Sequence, residues 1–60
     1  MKYFISYVYL TKGGTNRFGN DMKNIDSEIT TELIKALEKE YELKHDARLE
    51  RVTILSITKL

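Results

Sequence analysis

Lys12-Gly13-Gly14-Thr15-Asn16-Arg17-Phe18-Gly19-Asn20 has the ingredients of a phosphate-binding loop. Glycines let backbone N–H groups converge on an anion. Lys12, Arg17 and Asn20 would add donors around it. Phosphate chemistry of the nucleotidase kind, however, requires Gly-x-x-x-x-Gly-Lys-Ser/Thr between a strand and a helix N-terminus. Here Asn20 follows Gly19 where lysine is needed, and no helical pattern opens there. The dinucleotide fingerprint fails for the same reason. Gly-Gly is a favoured hairpin loop, so the stretch reads as a turn.

Catalytic groups are sparse. The only histidine is His45, cysteine is absent, and Ser6, Ser27 and Ser56 lack a base with its orienting partner. Two carboxylate pairs, Glu28/Glu32 and Glu38/Glu42, have helical spacing but fall on the expected solvent face. Acid–base work needs burial to shift their pKa values. The chain therefore reads as no enzyme, with no cofactor and no metal site.

The tyrosines are more suggestive. Tyr3, Ile5, Tyr7 and Tyr9 alternate along one face of an apolar segment, and with Phe18 and Arg17 they form the candidate interface or ligand face. An aromatic sheet face can stack the bases of single-stranded nucleic acid or a nucleotide. Such sites come with clustered Lys and Arg, whereas here Lys2, Lys12, Arg17 and Lys59 are scattered. The basic run Lys44, His45, Arg48 and Arg51 is diluted by Asp46 and Glu50. Packing or a protein interface is the favoured reading, and nucleic-acid binding the alternative.

Four elements would position these residues. Lys2 to Leu10 is aromatic and β-branched, and its opposite face carries Phe4, Ser6, Val8 and Leu10. A strand apolar on both faces belongs in the middle of a sheet. Arg17 to Ile25 is a polar returning strand suited to an edge, where charge discourages pairing with other chains. A two-residue loop would set Phe18 opposite Tyr9 and Met22 opposite Ile5. A three-residue loop would move Phe18 to the Leu10 face and set Gly19 opposite Tyr9, whose ring would cover it. In residues 29–44, Ile29, Leu33, Ala36, Leu37 and Tyr41 recur on one helical face, after capping candidates Asp26, Ser27 and Thr30. Residues 45–50 read as a connection, and Val52 to Leu60 as a closing strand. The expectation is an α+β, ββαβ fold, a three-stranded antiparallel or mixed sheet in order 2-1-3 with the helix on one face.

Composition narrows the rest. Sixty residues make one domain, 1–60, whose core supports a margin of only about 3–5 kcal/mol. Without cysteine and with a lone histidine, disulfides and zinc give no help, so a partner chain is the expected support. Ten basic and nine acidic residues leave a net charge of +1, no field to recruit nucleic acid. The apolar start is too short to cross a membrane and lacks a small-residue cleavage site, so no membrane is expected. One helix covers one sheet face, and the apolar residues left on the other suggest a homodimer.

The segments MKYFISYVYL, the glycine-containing turn with FGN, the capped helix and V-x-I-L-S-x-x-K-L together resemble small proteins encoded by bacteriophages and prophages. The chain departs from that pattern at Arg17, where the family has glycine. The resemblance implies a protein that acts by binding in the cytoplasm of a bacterial host. It would be an accessory factor or an inhibitor of host defence, with a host protein as target.

Overall fold

The computed structural model describes residues 1–60. Its elements run β1 (Lys2–Thr11), β2 (Asn16–Asn24), α1 (Thr31–His45) and β3 (Ala47–Lys59). The three strands form one sheet in the order β2-β1-β3, with β1 antiparallel to both neighbours. The expected ββαβ architecture and strand order are those observed.

The hairpin loop is one residue longer than Gly-Gly alone suggests. Thr11 pairs with Thr15 through Thr11 N–H to Thr15 O at 2.8 Å, and the Gly14 N–H returns to Thr11 O at 3.0 Å. The loop is thus Lys12–Gly14, and of its two glycines only Gly14 has a positive φ, 91°. This is a turn closed by a left-handed residue, a common three-residue hairpin. It begins one residue earlier than a loop centred behind Gly13, so Gly19 lies opposite Tyr7 and Phe18 opposite Val8.

The helix starts where Thr30, in extended conformation, accepts the Leu33 N–H on its hydroxyl at 3.2 Å. Glu32 sits in the first turn, and Lys44 and His45 in the last, both favourable to the helix dipole. Asp46 ends it in the left-handed region, φ 51°, which Asp tolerates better than most residues. The four-residue spacing of Leu33, Leu37, Tyr41 and His45 lays one stripe across the sheet. Ile5, Tyr7, Ile25, Leu37, Tyr41, Ala47 and Val52 form the core, with Tyr3, Tyr9, Ile29, Leu33, Ile54 and Ile57 packed around it.

β3 departs most from expectation. The residues 47–50 read as connection are strand, and β3 carries two irregularities. Ser6 faces Ser56 but Tyr7 faces Ile54, so Leu55 is extra; Tyr9 faces Val52 but Thr11 faces Ala47, so Arg48–Arg51 stand against Leu10 alone. Glu50, at φ 59°, lies in this second bulge. Both bulges turn backbone donors outward, and α1 meets them. Glu38 accepts the Ile54 N–H at 3.2 Å, and Glu42 the Glu50 N–H at 2.7 Å. Glu42 is therefore only 8% exposed, not on a solvent face as its spacing implied. The Glu50 N–H first, and then Lys39 at 3.0 Å, hold its carboxyl below the ordinary carboxylate range.

Candidate functional site

α1 covers the tyrosine face. Ile5 is fully buried and Tyr7 is 1% exposed, while Tyr3 and Tyr9 pack around the same core. Tyr7 stacks on Tyr41 of the helix with ring centres 4.2 Å apart and planes 3° from parallel. Its hydroxyl and His45 Nε2 share a short hydrogen bond of 2.5 Å, and His45 in turn stacks on Tyr9 at 4.3 Å. The Tyr41 hydroxyl donates to Asp21 Oδ2 at 3.0 Å, and Lys23 pairs with Glu40. The sheet's central strand and its β2 edge are thus both tied to the helix.

Gly19 makes this arrangement possible. A Cβ built there would lie 2.5 Å from Tyr7 Cζ and 2.7 Å from its Oη. The Tyr7 ring occupies the space over the glycine, as an aromatic neighbour often does on a strand. In the expected three-residue loop Tyr9 was to play this part; the observed register gives it to Tyr7.

The candidate face of Tyr3, Ile5, Tyr7, Tyr9, Phe18 and Arg17 is therefore corrected. Tyr7 and Ile5 are core, so the tyrosine row offers no open platform for bases. Arg17, opposite Tyr9, is exposed beside the same layer, whereas Phe18 points to the other side of the sheet. Nothing in the sequence decided this, because both faces of β1 are apolar.

The Tyr7–Tyr41 pair is poorly suited to acid–base chemistry. Burial raises the Tyr7 phenol, with Asp21 and Tyr9 adding to it. Burial also raises Tyr41 far above the usual range, followed by its bond to Asp21 and the nearby negative charges. A raised folded pKa means that the folded state holds its proton more tightly than the unfolded chain. The stability this contributes is complete below the unfolded value of 10.0 and falls as pH rises past it. Above pH 10, unfolding is expected to set in. The phenolate absorbance of Tyr7 and Tyr41 should then appear together with the loss of far-UV circular dichroism. Phenolate formation at these two residues in a chain that keeps its native spectrum would refute the assignment.

The opposite face of the sheet is uncovered. The register lays its side chains in rows: Met22–Phe4–Thr58, then Asn20–Ser6–Ser56, then Phe18–Val8–Thr53, with Asn16–Leu10 at the end. Two apolar rows flank a neutral polar one. Phe18 is 78% exposed and Met22 55%, with Phe4, Val8 and Leu10 half-buried between the strands. These rows carry no charge, but Lys2, opposite Asn24, lies on the same face beyond Met22–Phe4, and Glu50 and Arg51 border Val8, Leu10 and Thr53 at its other end. A partner that fits would bring apolar side chains over Phe4, Val8, Phe18 and Met22 and neutral hydrogen-bonding groups to the middle row. A polyanion would find single cations at the two ends, Lys2 and Arg51, and none between them. The sequence alone placed Phe4, Val8 and Leu10 on the second face of the first strand, and left Phe18 and Met22 to either face according to the loop length.

A groove of about 380 Å³ separates α1 from β3, lined by Lys35, Glu38, Lys39, Glu42, Leu49, Glu50 and Val52. Its central carboxylates already accept strand N–H groups, so they serve the bulges described above. No helix is long and apolar enough to cross a membrane. Compared with known proteins, the chain matches no family model, no curated protein and no solved structure.

Proposed function

We propose that the chain is a non-enzymatic binding protein that presents its uncovered sheet face to another protein. The observation that carries this is the pair of apolar rows, Met22–Phe4 and Phe18–Val8, held open to solvent on a sheet whose other side is packed. An exposed apolar surface rimmed by polar residues marks an interaction site in a small protein. A face whose centre carries no cation, with Lys2 and Arg51 only at its two ends, favours a protein partner over nucleic acid, whose affinity comes chiefly from phosphate contacts. The resemblance to small phage proteins supports the finer part of the reading: a factor acting in a bacterial cytoplasm on a host protein, as an accessory or anti-defence component.

Val8→Lys places a charge at the centre of the face while leaving the core beneath α1 untouched. Capture from a nuclease-treated host lysate by the tagged wild type should recover a defined protein. Val8→Lys should weaken that recovery by at least about tenfold, since an unpaired buried charge is among the strongest ways to reject a partner. Lys35→Glu, on the helix, should leave it unchanged. Equal recovery by wild type and Val8→Lys, or recovery abolished by nuclease, would remove the proposal.

A further inference from the structure

The sheet's two edges are treated differently. On β3, the bulges break the ladder, and Glu38 and Glu42 occupy the outward N–H groups of Ile54 and Glu50. Bulges and covering groups are the usual ways of blocking an edge against further strands. β2 has neither. Its register with β1 runs from Asn16 to Asn24 without a shift, and it pairs with no other strand.

The phase of the ladder shows which β2 groups face outward. The Thr11–Thr15 pair is hydrogen-bonded, and at the far end the Ile25 N–H bonds Met1 O at 2.8 Å. Hydrogen-bonded and non-bonded pairs alternate in an antiparallel ladder. Arg17, Gly19, Asp21 and Lys23 therefore turn their backbone groups to β1. Asn16, Phe18, Asn20, Met22 and Asn24 turn theirs to the open edge. The outward set contains no charge and no proline. The charges expected to guard this edge stand instead over the helix side, where Lys23 is held by Glu40 and Asp21 by Tyr41.

We infer that a second copy of this chain pairs antiparallel along β2, about a two-fold axis at Asn20, to make a continuous six-stranded sheet. This register alone overlaps the whole strand while matching outward groups to outward groups. It sets Asn20 against the partner's Asn20, Phe18 against the partner's Met22, and Asn16 against the partner's Asn24. The two most exposed apolar side chains of the strand thus become cross-strand neighbours on one face. Arg17 meets the partner's Lys23, but Lys23 is already paired with Glu40, and the partner's Asp21 is the diagonal neighbour of Arg17. Each matched pair exchanges two backbone hydrogen bonds. The uncovered faces of both copies then join side by side, doubling the surface proposed above.

Single cysteines give a register-specific test, because the chain has none of its own. A hydrogen-bonded antiparallel pair has Cα atoms about 5.5 Å apart, within disulfide reach. In the intact protein at high micromolar concentration, sedimentation should show a dimer. Asn20→Cys should oxidise to a covalent dimer at least about tenfold faster than Asn16→Cys, whose thiol faces the partner's Asn24. Asn20→Pro should leave the circular dichroism native, because that N–H bonds nothing within the chain, yet sediment as a monomer. Lys59→Pro, at the end of the opposite β3 edge, should remain dimeric. A monomeric wild type, equal oxidation of the two cysteine variants, or a dimeric Asn20→Pro would each overturn the inference. Val8→Lys should still dimerise and Asn20→Pro should still capture a target, so this proposal and the previous one fail separately.

Discussion

Gly19→Ala is expected to remove most of the chain's stability at room temperature. The added methyl would sit 2.5 Å from Tyr7 Cζ, well inside contact distance. The neighbour it meets is no flexible chain end. Tyr7 is fixed by its stack on Tyr41 and its bond to His45, so relief requires giving up both. Overpacking a core costs about 1–3 kcal/mol and occasionally more. Loss of an aromatic pair adds about 0.5–1.5 kcal/mol. Together these reach about 1.5–4.5 kcal/mol, a large part of the margin of about 3–5 kcal/mol for a core of this size. The check is a thermal melt by circular dichroism, in which the midpoint should fall by more than about 15 °C. Tyr7→Leu would open the site, so the double variant should be destabilised by less than the sum of the two single changes. Strict additivity, or a native-like melt for Gly19→Ala alone, would show that the ring is not held over the glycine.

Tyr41→Ala should be as severe, for the opposite reason. Tyr41 is fully buried, and removing an aromatic side chain from a core costs about 3–5 kcal/mol. The deletion also strips Tyr7 of its stacking partner and Asp21 of its donor. Tyr41→Phe separates these effects, since it keeps the ring and removes only the hydroxyl. A hydrogen bond to a charged acceptor is worth about 1.5–3 kcal/mol, so the melting midpoint should drop by about 10 °C with the fold retained. If Tyr41→Phe unfolds as completely as Tyr41→Ala, the Asp21 bond rather than the stack holds the helix to the sheet.

Strand order was legible because each cue was local and strong: an apolar first strand, a glycine turn, a helical stripe, a β-branched end. The register was not, because Gly13-Gly14 admits several loops and only the observed φ of Gly14 shows which glycine the turn requires. The start of β3 was hidden in Ala47-Arg48-Leu49-Glu50-Arg51, where a bulge destroys the period-two pattern that identifies a strand. Glu42 was misplaced because its burial depends on a backbone N–H freed by that same bulge. The uncovered face was the hardest part to assign. Phe4, Val8 and Leu10 are as apolar as Tyr3, Ile5 and Tyr7, and what separates them is the glycine opposite Tyr7.

The strand order also sets the pace at which the chain finds its structure. β1 meets β2 by closing the three residues Lys12–Gly14, but it meets β3 only after about 35 residues have been looped out between Thr11 and Ala47. The difference in closure entropy is roughly 2 kcal/mol against the later pairing. A hairpin of this kind forms on the microsecond scale. The slow event is expected to be the arrival of β3 with α1: stopped-flow refolding should slow for substitutions at the α1–β3 contact and stay almost unchanged for those at the β2 edge.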